Sequence, residues 1–428
     1  MKITLIVLVI LISSVTSIII QQQDDDLLPE VTAMLITAEP PESSRAYTYL
    51  MGIHSAAGQS PAATGHRLLA QIREQEQSAA PSSVSTTLND ELALPEGPLF
   101  CPFKQTGCLE SLFANEAALA AAVQEHGELL QRWQTFLSID DYAVLTRPRL
   151  SEPFPHYQYL LKASRLAILQ SIRNAVTGTP DTALQQLAYT TAQLRRLLAQ
   201  ESHLVGKMVA VQLLSDQIDA TNALISRFEL QPARQVSPLT AAEKSLAKAM
   251  ARELAGAAFL YQQMDGRPDL LSQTSDIPVW FVHFLFKPGI STNALLPIYQ
   301  DFVISSELSP AEFVAHIEQS SVPQPQQHWI RNPVGTILNN IALPNMREYA
   351  ARMHDLELKF RLFNALNSLN NNTQNAATKR FQNPYYPNLD ASVVLDKDNT
   401  VCLDGPLPDS RGIRCLRGFM GTASRATP

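Results

Sequence analysis

The stretch that most constrains this chain is Ile3 to Ile20, eighteen residues without a charge that follow Met1-Lys2. As a helix rising about 1.5 Å per residue, it reaches roughly 27 Å, close to the roughly 30 Å hydrocarbon core of a bilayer. One lysine precedes it and Asp24, Asp25 and Asp26 follow. That bias keeps the short N-terminus cytoplasmic and sends the following chain across. The expectation is a single-pass protein of the inner or plasma membrane, held by residues 3–20, with a periplasmic or extracellular body. The alternative is a secretory signal cleaved near Ser17, since Ser13, Ser14, Thr16 and Ser17 are small. Cleavage there would leave Ile18, Ile19 and Ile20 as an exposed new terminus, and no A-x-A pattern stands at the border, so the uncleaved anchor is preferred. A second apolar run, Ile277 to Phe286, is too short to span. It suits a buried or interfacial helix, with His283 as a hydrogen-bonded core histidine.

An exported chain meets oxidising conditions, which bears on its four cysteines. They fall into two local pairs, Cys101 with Cys108 and Cys402 with Cys415, and both read as disulfides. Neither spacing is CxxC, so redox and zinc-ribbon chemistry are weak readings. The chain is 45% apolar and carries a net charge of −7 without a basic run, which argues against a nucleic-acid partner. Glycines number 16 against 28 prolines, a balance that disfavours phosphate-cradling loops and suits helix starts.

Periodicity makes the body mainly α. Helical patterns run over Asn115–Ser138 and Phe154–Val176. A stripe of Leu184, Leu187, Thr191, Leu194 and Leu198 follows Pro180, with Arg195 and Arg196 turned outward. Leu204, Val211, Ile218 and Ile225 continue the pattern. Thr240-Glu243 and Ser309-Glu312 are capping boxes, and Asn345–Leu369 is the last long helix. Short connections imply antiparallel neighbours, hence a multi-helix antiparallel bundle or stacked helical hairpins after the anchor. Residues 78–98 read as a linker. Ala391–Leu395 and Thr400–Leu403 suggest a C-terminal β-hairpin. The expected organisation is 1–22 anchor or signal, 23–98 juxtamembrane helical segment and linker, 99–375 helical body, and 376–428 disulfide-bearing hairpin segment.

Chemistry is hard to find. GxSxG, HExxH, GxxxxGK and GxGxxG are all missing. Ser245-x-x-Lys248 has a penicillin-recognising spacing but no K-T-G follows it, and it reads as a surface pair inside a helix. The nine histidines show no i, i+4 pair, so no metal or cofactor is expected. Asp140, Asp141 and Glu152 read as solvated helix starts. Two segments suggest a pocket or docking groove, through Trp280, His283 and Lys287 and through Trp329, Arg331 and Asn332; core packing and side-chain caps are the plainer account. No catalytic residue is assigned. The expected function is a membrane-anchored interaction or scaffold protein with a protein partner in the cell envelope. The alternatives are an exported hydrolase with carboxylates assembled by the fold, or a small-ligand or lipid-binding module.

Overall fold

Proline-led starts and leucine stripes do produce helices, and the chain is mainly helical. The computed structural model describes residues 13, 23–77, 86–230, 235–265, 267, 278–341, 346–370, 381–388, 390–391 and 400–417. Apart from Ser13, the apolar segment 3–20 lies outside these. Among the described residues no helix is long and apolar enough to cross a membrane.

The first elements are α1 (Pro29–Ala38), α2 (Arg45–Met51), α3 (Pro61–Gln77), α4 (Cys108–Phe113), α5 (Glu116–Glu125) and α6 (Gly127–Ser138). The expected helix over Asn115–Ser138 is broken at His126, between α5 and α6. Then come α7 (Tyr157–Val176), α8 (Pro180–Gln200) and α9 (Leu204–Phe228), joined by tight turns and packed against one another. The stripes of α8 and α9 are buried as their periodicity requires. Arg195 and Arg196 are not turned outward. Arg195 grips Glu243 with both carboxylate oxygens, and Arg196 donates to the carbonyls of Leu137 and Ile139.

The second half holds α10 (Ala241–Lys244), α11 (Ala247–Asp265), α12 (Val279–Leu285), α13 (Pro288–Glu307), α14 (Pro310–Gln319), α15 (Pro333–Ile341) and α16 (Arg347–Asn370). Both capping boxes form. Ser245 sits at the break between α10 and α11 rather than inside a helix; its hydroxyl donates to Glu307 and accepts from the Ala247 amide. Helix α11 packs on α1 and α13, while α16 joins α13 to α9. The α9–α16 contact buries an ion pair, Lys359 Nζ to Asp219 at 2.7 Å. One apolar core runs without interruption from Val31 to Leu416, and a smaller one closes the far ends of α7–α9 beneath Phe103, Cys108 and Leu112.

Both expected disulfides form, Cys101–Cys108 and Cys402–Cys415. Small antiparallel strand pairs do form at the C-terminus; of the expected run Ala391–Leu395, all but Ala391 lies outside the described residues. β1 (Phe381–Gln382) pairs with β2 (Asp390–Ala391), and β3 (Val401–Cys402) pairs with β4 (Cys415–Leu416), both antiparallel. Cys402 and Cys415 face each other across the second ladder, so the disulfide staples a strand pair. Val401, Ile413 and Leu416 anchor it in the main core.

Candidate functional site

The residues that follow the apolar segment are held firmly. Asp24 accepts the amides of Gly289 and Ile290 at 2.7 and 3.0 Å, closing the N-terminus of α13, where backbone donors and the helix dipole favour an anion. Arg331 donates to the Gln23 carbonyl and pairs with Asp25 at 2.8 Å. Asn293 grips the same segment twice, through the Asp26 carbonyl and the Leu28 amide. The acidic run is therefore a clasp on α13 as well as a charge flank.

Beside this clasp lies α15, inside a segment that the sequence marked only as a possible groove or as core packing with side-chain caps. It packs polar side inward. Asn332, Gly335, Thr336 and Asn339 are buried at i, i+3, i+4 and i+7. Asn332 accepts the Lys287 and Gly335 amides and donates to Ser291, while Asn339 donates to the Ser291 carbonyl and accepts from Tyr261. A Cβ on Gly335 would lie 2.0 Å from Ser291 Oγ, so glycine lets α15 approach α13 this closely. Val334 and Leu338 pack against the main core, but the isoleucines of this segment are left outside: Ile330 is 84% exposed, Ile337 45% and Ile341 77%, spaced i, i+7 and i+11, with Trp329 56% exposed at their head. Phe281 of α12, which packs on α15, is exposed as well. An ordinary surface helix shows the opposite orientation.

These elements account for the expected groove residues. Lys287, Arg331 and Asn332 do converge, but around the clasp and the α13 N-terminus. Lys287 is buried, and burial holds its amine below the usual lysine value. Trp329 faces outward. His283 is not a core histidine: its side chain is 44% exposed and pairs with Asp265 at 2.7 Å. The Trp280 side chain lies outside the described residues.

The sequence also missed a buried polar network at the ends of α7 and α8. Glu152, expected as a solvated helix start, is buried instead. It accepts from Thr146, His203 Nε2 and Arg252. Glu201 accepts from the Tyr142 hydroxyl at 2.6 Å and from the His203 amide at 2.7 Å. The Tyr157 hydroxyl lies between Glu201 and His203 Nδ1. Burial, and next the negative Glu201, push the Tyr142 and Tyr157 hydroxyls far up, which keeps them donors. Glu152, Glu201 and His203 are 1–7% exposed, so they join helix ends and offer no surface to a substrate.

At the N-cap of α7, a second cluster gathers His54, Glu91 and His156, one ligating atom of each lying within 4.8 Å of the others. His54 follows α2, which Gly52 and Gly65 bring against α3: a Cβ on Gly65 would meet the Thr48 carbonyl at 1.8 Å. Glu91 comes from the supposed linker, whose residues 86–98 are irregular but docked. A bridge pairs Ser55 with Glu91, and the Leu92 amide donates to the His54 carbonyl. The Tyr159 hydroxyl reaches both Glu91 and the Leu92 carbonyl, and burial followed by Glu91 pushes it up to about 12. The two imidazoles stack with centroids 3.9 Å apart. Burial, and then His156, hold His54 below the usual imidazole value.

No protein-family model, curated protein or solved structure matches this chain. Its function is therefore argued from these surfaces alone.

Proposed function

We propose that this chain is a membrane-tethered helical interaction protein. Residues 3–20 hold it in the bilayer, and the body lies on the exported side, where its two disulfides are stable. The outward apolar stripe of α15 beds into the lipid interface beside the tether, and the rest of the surface faces a protein partner in the envelope. One observation carries this reading: the inverted helix lies against the clasp that receives the chain directly after its apolar segment. Trp329 heads the stripe, a residue type favoured at the headgroup level. Only Gln21 and Gln22 separate Ile20 from the clasped Gln23. At no more than about 3.6 Å per residue, the body hangs within roughly 11 Å of its tether.

The test uses the full chain in proteoliposomes. Its own cysteines are all paired, so Ile341→Cys takes a single fluorophore. The reading expects quenching by lipids brominated on their acyl chains and shielding from aqueous iodide. Quenching by iodide alone, or recovery of the native protein as a soluble chain shortened near Ser17, would overturn it.

A further inference from the structure

We propose that His54, Glu91 and His156 form a binding site for a divalent transition-metal ion of the zinc type. The donor set, two imidazoles and a carboxylate, is one that zinc accepts with a fourth position left for water. Chemistry and burial support it from separate directions. His54 is fully buried, and its Nδ1 has no hydrogen-bond partner among the described residues. Its other nitrogen lies 2.8 Å from the Thr86 carbonyl, so Nε2 must carry the proton and Nδ1 the lone pair. A ring that donates one N–H to a backbone carbonyl and keeps a bare lone pair is oriented as metal-ligating histidines are. His156 Nε2 lies 3.2 Å from the Thr86 hydroxyl, which can accept its proton. Tyr159 is the outer partner of Glu91, bonded to its Oε2 at 3.2 Å.

The three ligating atoms lie within 4.8 Å of one another, and a tetrahedron with bonds near 2.1 Å has an edge of about 3.4 Å. Metal binding would bring the three ligands to that edge and turn the stacked rings apart. Glu91 and His156 are half-buried and have room to do so. The nearest cation is already neutralised: Arg132 is held by Glu128 and by the carbonyls of Ile53, Ser55 and Ala56. The Glu152–Glu201–His203 network is a poorer host, because the Arg252 guanidinium already fills its anionic side. An ion at His54 would pin residues 86–92 to α2 and α7, fastening a segment that has no regular secondary structure.

The experiment titrates chelator-stripped, tag-free full chain with Zn²⁺ against a chromophoric competitor, and with Co²⁺ while visible d–d bands are recorded. The proposal expects one equivalent bound, with tetrahedral-type cobalt bands. Glu91→Gln and His156→Asn should each weaken affinity by more than about tenfold, with the metal-free melt of both variants unchanged. His54→Asn tests the same point but replaces a fully buried ring, so the other two variants decide. Absence of binding, or an affinity that neither Glu91→Gln nor His156→Asn changes, would overturn the site.

Discussion

Helices α8 and α15 obey the same period and face opposite ways. In α8 the stripe Leu184, Leu187, Leu194 and Leu198 is buried, and its arginines reach neighbouring acids and carbonyls. In α15 the buried side carries Asn332, Thr336 and Asn339, and the isoleucines face out. Periodicity reveals that a helix has two faces. What covers each face is decided by the surroundings, and water alone does not explain α15. The polar contacts under α15 are also uncharged, whereas the bundle interior buries charged and titratable groups such as Asp219, Lys359 and His354.

The comparison breaks first on core truncation. Leu194→Ala should cost about 2–5 kcal/mol in urea unfolding, since it removes a fully buried side chain. The formally similar Ile337→Ala should stay within about 0.5 kcal/mol in detergent-free solution, and an equal cost would mean that α15 is an ordinary core helix. Acid probes the charged interior. Burial holds His354 down to about 4, so it stays neutral in the fold, and stability present above pH 6.5 is lost as pH falls toward 4. Asp355 runs the other way: burial raises it to about 6, and its contribution, full below 3.8, is lost as pH rises through 6. The two largely offset each other. Asp355→Asn should therefore expose an acid loss on the order of 3 kcal/mol between pH 6.5 and 4; an unchanged urea midpoint profile would sink this account. The uncharged α15 contacts should not respond over that window, as hydrogen exchange of α15 can report. A single change under α15 is the most diagnostic. Asn339→Leu, a polar-to-apolar change that helps an ordinary helix interior, should cost about 1–3 kcal/mol here by stranding the Tyr261 hydroxyl and the Ser291 carbonyl.

The elements that could be read from the sequence were those with local causes. Both capping boxes, the Pro180 start, the α8 and α9 stripes and the two cysteine pairs depend on residues within a few turns of one another. Glu152, Arg195 and Glu91 meet Arg252, Glu243 and Tyr159, which lie 100, 48 and 68 positions away, and no local rule reveals them. Helix α15 was missed because its inward side is polar, so its pattern resembled a capped loop.

The buried Lys359–Asp219 pair also sets an order in time. Asp219 leaves the ribosome 140 residues before Lys359 and 198 before Arg417, whose amide also bonds its carboxylate. At about 5–20 residues per second, α9 waits on the order of ten seconds with an unmatched acid on its inward face. Until those residues arrive it cannot take its final seat, so the bundle closes late.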